Sequence, residues 1–356
     1  MSYRFSVELT KNPKQKPDPD SLRFGTVFTD HMFIMDYDPE HGWHDGRIVP
    51  YGPILMDPAS SVFHYGQEMF EGLKAYRTKD GRVQLFRPDM NAKRTNNTNK
   101  RMCMPQIDEQ LYVDAIKALV DVDRDWIPQK ENTALYIRPF IIATDRYLGV
   151  SASKCYKFMI ILSPVGPYYE SGLAPTKIYV ENEFVRSAPG GTGFAKIGGN
   201  YAAAMIAEQK AHDMGYDQVL WLDAKEGRYV EEIGTSNAFF KIDGELYTSP
   251  LAGTILPGIT RDSMITVMKD WGYKVNEVRF TIDDVFKAAE EGRLEEVFAT
   301  GTAAVISPVG ELYWNDRHIV INNNEIGELS QKLYDELYGI QTGEKADTRG
   351  WIVPVE

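Results

Sequence analysis

The stretch "GFAKIGGNYAAAM", residues 193–205, sets Lys196 among glycines and alanines, with Tyr201 five positions later and a run of alanines behind it. An ordinary surface lysine keeps its charge in water among polar neighbours and does not call for small residues on both sides. Lys196 is therefore expected to be walled in. A phosphate-binding P-loop needs glycine directly before its lysine and a hydroxyl residue after it, whereas Ala195 and Ile197 stand there. A dinucleotide fingerprint fails as well, because Gly190, Gly191 and Gly193 have the wrong spacing. A desolvated lysine is a nucleophile, and its common chemical use is a Schiff base with a carbonyl. Small neighbours leave room for a flat aromatic aldehyde.

If that aldehyde is pyridoxal 5'-phosphate, the site needs an acid to hold the pyridine nitrogen protonated, a donor near the ring oxygen and an anion cradle. Tyr201 lies close enough in sequence to offer its phenol. Glu231 and Glu232 are adjacent on an expected strand, so one of the two points inward. "LPGIT", residues 256–260, is a turn entering a helix, where free N–H groups and the positive end of the dipole favour a phosphate.

The rest of the chain bounds what surrounds this site. Its 356 residues favour two domains over one. A net charge of −12 without a basic patch opposes nucleic acid and anionic membranes as partners. The longest apolar runs, such as "FMIIL" at 158–162, fall far short of the roughly 20 residues that span a bilayer. Two cysteines and no signal segment point to the cytoplasm. His31, His41 and His44 lie near Asp36, Asp38 and Asp45, but in a turn-rich segment without a cysteine partner, so no metal is expected.

Residues 10–23 are polar and proline-rich and are expected to run extended. Hairpins are expected over 32–65, helices over 88–102 and 108–127, and strands over 133–144 and 156–165. The loop "SPVGPYYESGLAPT", residues 163–176, is the domain boundary. The expected division is a small domain over 1–167, an interdomain loop over 168–176 and a large domain over 177–356. The second half is rich in strands, with helices near 200–214, 260–271, 282–291 and 325–339. The fold class is α+β, a small α/β domain followed by a β-rich one.

"FEGLKAYR", "LYIRPF", "FAKIGGNYAAAM", "VEEIGTSNAFF", "ILPGITR" and "FATGTA" occur in the order and rough spacing of the branched-chain amino acid aminotransferases. Over about residues 20–345 the chain resembles the longer variety of these fold type IV pyridoxal phosphate enzymes. The resemblance implies a β-rich pseudo-barrel in the large domain and a homodimer with the active site at the interface. It implies reversible amino transfer between L-leucine, L-isoleucine or L-valine and 2-oxoglutarate, giving branched-chain 2-oxo acids and L-glutamate.

Residue by residue, it implies that Lys196 holds the cofactor and shuttles the proton, that Glu232 holds the pyridine nitrogen and that Tyr201 serves the ring oxygen. Arg94, Ile259, Thr260 and Thr302 would reach the phosphate, and Thr235 would brace the ring. Thr302 and Ala303 would receive the substrate carboxylate. Tyr65, Phe70, Tyr136 and Tyr168 resemble the aromatic walls of the substrate pocket, and Arg138 would pair with the second carboxylate of glutamate. Mammalian members carry a CxxC pair after "GTA", where this chain has Ala304 and Ser307; thiol regulation is not expected there. D-amino acid aminotransferases and aminodeoxychorismate lyases share the lysine and cofactor, but "LYIRPF" and "GGNYAA" argue against both. A carrier that binds the cofactor without turnover is disfavoured, because the substrate-holding residues are present.

Overall fold

The computed structural model describes residues 3–166 and 173–356, which divide into two compact units. The first comprises residues up to 166, residues 196–198 and residues 339–356. Its spine is the pair Ala134–Ala143 and Tyr156–Val165, strands dense in β-branched and aromatic residues, antiparallel from Ala134 opposite Val165 to Ala143 opposite Tyr156. Strands on both sides extend this pair to a nine-stranded sheet, in which Glu68–Phe70 and Leu73–Arg77 both lie beside Ala134–Ala143.

Along Met32–Met35 successive side chains alternate between the two faces, and all four are apolar and buried, so this part of the sheet is covered on both sides. Phe33 and Met35 go with the face bearing Phe158, where Tyr112 of the helix Glu109–Val122 stacks at a centroid distance of 5.5 Å. Met32, Ile34 and Met159 gather Phe140, Ile142 and Ile161 on the other. That second face also carries Tyr136 and Arg138, because side chains two apart on a strand share a side.

The helix Pro88–Arg101 begins at proline as the pattern predicts. The next helix stops at Val122, short of the expected 127, because Asp123 is committed elsewhere. Its buried carboxylate accepts from the His31 backbone at 3.0 Å and pairs with His31 Nδ1 at 2.7 Å.

The second unit comprises residues 173–195 and 199–338. Six of its nine strands close on themselves. The circuit runs Val230–Ile233, Gln218–Leu222, Thr176–Val180, Val305–Trp314, Leu294–Gly301 and Ser236–Ile242, which pairs with Val230–Ile233 again. Closure removes the open edges a six-stranded sheet would otherwise expose. The associated core unites Val180, Leu220, Phe240 and Val297 with Ile282, Val285 and Phe286 of the helix Ile282–Glu290. Where one helix is expected over 200–214, two short ones form, Gly198–Ala202 and Met205–Asp213.

The expected second domain runs to residue 356, but the last strand, Ile352–Val355, pairs antiparallel with Val83–Phe86 and belongs to the first unit. A four-residue apolar strand carries no mark of which sheet it will join. The expected interdomain loop begins in residues 167–172, outside the described ones. Among the described residues no helix is long and apolar enough to cross a membrane.

Candidate active site

In the first unit, the short strand Glu68–Phe70 receives the segment around Lys196. The Phe70 N–H donates to the Lys196 carbonyl at 3.1 Å, the Lys196 N–H donates to Thr98 Oγ1 at 3.0 Å, and the Gly198 N–H donates to the Glu68 carboxylate. Both ends of the lysine's backbone are thereby tied, and Gly198 admits the close approach. A Cβ at this position would sit 2.8 Å from Glu68 Oε1. Burial pushes the Glu68 carboxyl up, opposed by the Gly198 N–H and the charge of Arg138. The Lys196 ammonium lies 4.7 Å from the centroid of Phe70, and the Arg138 guanidinium 4.8 Å from it.

Arg138 also donates to the Tyr136 hydroxyl at 3.2 Å. Gly72 makes room for that hydroxyl, since a Cβ there would lie 2.1 Å away. Phe70, Tyr136, Arg138 and Lys196 thus form one cluster, as the motifs imply. Tyr65 lies apart from it in these contacts: it is partly exposed on the short helix Val62–Tyr65 and donates to the Leu148 carbonyl. Tyr168 falls outside the described residues.

Arg94 is held by a residue the motif reading passed over. Glu71, completely buried, takes Arg94 Nε on Oε1 at 2.7 Å and Nη2 on Oε2 at 2.8 Å, with Asn91 Nδ2 on Oε2 at 2.7 Å. Burial alone would push the Glu71 carboxyl up. The charge and hydrogen bonds of Arg94, with the nearby charge of Lys196, outweigh it and hold the carboxyl below its usual range.

In the second unit, a recess is lined by Tyr201, Glu232 and Thr235 together with Arg186, Asn200 and Leu256. Of the adjacent glutamates it is Glu232 that fronts this recess, 2% exposed and paired through Oε2 with Arg186 Nη2 at 2.5 Å. Asn237 Nδ2 donates to Glu232 Oε1 at 2.7 Å and to the Leu256 carbonyl at 3.0 Å. One asparagine therefore joins the carboxylate to the turn that opens the helix Ile259–Asp270. That helix has Gly258 at its N-cap and no side chain capping it, so Ile259 and Thr260 present an uncapped, positive terminus. A Cβ on Gly258 would lie 2.0 Å from Asn237 Oδ1, which explains the glycine in "LPGIT". Thr302 and Ala303 occupy the turn linking Leu294–Gly301 to Val305–Trp314.

Arg186 is the second residue that motif reading missed. Its only signal is the rule that a buried carboxylate needs a cation. The histidines divide. His31 pairs with Asp123, whereas Asp38, His41 and His44 bring possible ligand atoms within 4.8 Å of one another, already bonded among themselves at 3.0–3.1 Å.

A family model for the class IV aminotransferases matches residues 68–312. Branched-chain-amino-acid aminotransferase 2 of Bacillus subtilis (strain 168) is 57% identical over 349 residues, covering 98% of this chain and 96% of its own. The chain belongs to the branched-chain amino acid aminotransferases. The family's fold recurs in solved structures. The Escherichia coli branched-chain amino acid aminotransferase superposes with a TM-score of 0.78 at 26% identity, over 92% of this chain and 99% of its own. The T.th. member, solved with pyridoxamine 5'-phosphate, gives 0.76 at 29% identity, over 91% and 98%. These neighbours are fold type IV enzymes, and the closed six-stranded circuit described above is this chain's version of that architecture.

Proposed function

We propose that the chain transfers amino groups between L-leucine, L-isoleucine or L-valine and 2-oxoglutarate, with pyridoxal 5'-phosphate as cofactor. The observation that carries this reading is Glu232. A carboxylate paired with Arg186 and turned toward a recess with Tyr201 and Thr235 suits a protonated pyridine ring. The uncapped start of the helix Ile259–Asp270, tied to the same Asn237, suits its phosphate.

When bound, the cofactor supplies an electron sink for the negative charge that develops at the substrate Cα. The chain's residues do the rest. Lys196 would hold the cofactor, and its side-chain amine would carry the proton to and from the substrate Cα. Glu232 holds the ring N–H, and Tyr201 donates to the ring oxygen. Arg94, oriented by Glu71, reaches the phosphate with Ile259, Thr260 and Thr302. Thr302 and Ala303 receive the substrate α-carboxylate. Phe70 and Tyr136, with Tyr168 by the family resemblance, would supply apolar walls for an aliphatic side chain, and Arg138 would pair with the second carboxylate of glutamate. The arrangement meets a two-substrate demand, because aromatic rings with hydroxyls offer both an apolar face and a polar option.

A homodimer that completes the active site at its interface fits the apolar surface that the first unit exposes at Phe63, Tyr147, Leu148 and Val150. The two free thiols, Cys103 and Cys155, fit a cytoplasmic location.

Borohydride reduction followed by peptide mapping tests the assignment. The expected adduct is on Lys196, and Lys196→Ala should lose it together with at least about 10⁴-fold in turnover. An adduct on another lysine sinks the mechanism. A donor panel read by the cofactor's absorbance, L-leucine beside D-alanine, tests the substrate class.

A further inference from the structure

The strand Val230–Ile233 turns Glu232 toward the recess and Glu231 the other way, into a second cavity of about 190 Å³. Glu231 is 7% exposed, and its Oε2 has no hydrogen-bond partner among the described residues. Burial pushes its carboxyl up, while the Thr254 hydroxyl and the charge of Arg186 act against that rise. A buried carboxylate oxygen without a donor is costly, so it favours a ligand that brings one. The other carboxylate lining the cavity, Asp223, is already served by the N–H groups of Lys225, Glu226, Arg228 and Tyr229 at 2.8–3.3 Å. Of the two carboxylates, Glu231 is therefore the one with an oxygen left open.

The remaining lining tells what kind of donor fits. Val230, Ile255 and the ring of Tyr229 make an apolar wall. Arg279 stacks on Tyr229 at 3.6 Å, which holds its guanidinium in place, while its contacts to Asp223 at 3.5 Å and Glu226 at 3.4 Å are long. A stacked guanidinium with weak partners is suited to take a carboxylate in bidentate fashion. Lys225, exposed, adds a second positive charge to the same lining. The cavity exceeds the roughly 150 Å³ that accommodates benzene, so it is larger than a water site and fits a small organic molecule.

We propose that this cavity binds a small zwitterionic amino acid with an apolar side chain. The ligand's ammonium donates to Glu231, its carboxylate pairs with Arg279 and Lys225, and its side chain lies on Val230, Ile255 and Tyr229. The site is independent of the transamination reading and lies on the opposite side of the strand from the recess. It has a physical connection to Glu232 all the same. Thr254, which bonds Glu231 through its hydroxyl, accepts through its carbonyl from Arg186, the partner of Glu232.

The test is to soak crystals of the holoenzyme in L-selenomethionine and locate selenium by anomalous scattering. The expected result is a selenium peak in the cavity with the amino acid's nitrogen on Glu231. Glu231→Gln and Arg279→Leu should each abolish that peak, with melting curves showing that the variants fold. If Glu231→Gln proves unstable, the surface variant Arg279→Leu decides alone. Selenium found only elsewhere, no selenium at saturation, or a cavity peak that survives the substitutions overturns the proposal.

Discussion

Among the described residues each unit has one arginine–carboxylate pair with both partners buried, and the two pairs are built differently. Glu71 meets Arg94 fork to fork, through both carboxylate oxygens, and adds Asn91 to the same oxygen that takes Nη2. Glu232 meets Arg186 through one guanidinium nitrogen, which also donates to the carbonyls of Gly193 and Thr254. The first geometry fixes the arginine, while the second fixes the carboxylate and leaves it facing the recess. A bidentate clamp around a cation suits the positioning of an anion-binding group, and a braced carboxylate suits the holding of a proton. Both pairs have to offset the desolvation of two charges, which is why neither partner is replaceable by a neutral residue without a large effect.

Of the changes to the two pairs, Glu232→Gln should show the largest effect on turnover, a fall of about 10³- to 10⁴-fold with the fold retained, since an amide cannot hold a ring nitrogen protonated. Steady-state rates beside denaturant melts check this, and an active Glu232→Gln enzyme would erase the distinction between the pairs. Glu71→Ala should behave in the opposite way. Leaving Arg94 buried and unpaired costs about 3–5 kcal/mol of stability in urea unfolding, with weaker retention of the cofactor.

Acid sharpens the same contrast. The Glu71 carboxyl is held below its ordinary value of 4.5, so its stabilisation is complete above that value and is lost as pH falls through the lower native one. Urea midpoints from pH 7 downward should drop in that window for the wild type and flatten for Glu71→Gln. Gly258→Ala forces a methyl against Asn237 Oδ1 and should cost about 1–3 kcal/mol, loosening both Glu232 and the helix start. Cofactor titration should detect the loss. Thr281→Ala is the smallest change. It removes the hydroxyl that caps the helix Ile282–Glu290 and should cost about 1 kcal/mol with turnover unchanged.

What could be read from the sequence follows the range of the forces involved. Lys196 and Tyr201 stand out in the sequence because small neighbours and a short spacing mark them locally, whereas Glu232 and Thr235 are singled out only by the family resemblance. The pairing residues carry no such mark. Arg186 and Glu71 announce themselves only through charge pairing between distant stretches of chain. The helix from Pro88 was legible from proline and periodicity, whereas the stop at Val122 depends on His31, far away in sequence. Glu231 and Glu232 could not be told apart by pattern, because alternation says that one faces inward but not which. The surface position of Tyr65 is likewise a tertiary fact, fixed by its bond to the Leu148 carbonyl.

The strand Ile352–Val355 covers Val83–Phe86, which would otherwise be an open sheet edge. During synthesis that edge emerges from the ribosome long before its cover. At 5–20 residues per second the interval is roughly thirteen to fifty seconds. In that interval the newborn first unit carries an uncovered strand open to pairing with another chain. Deleting Ile352–Val355 would make the interval permanent.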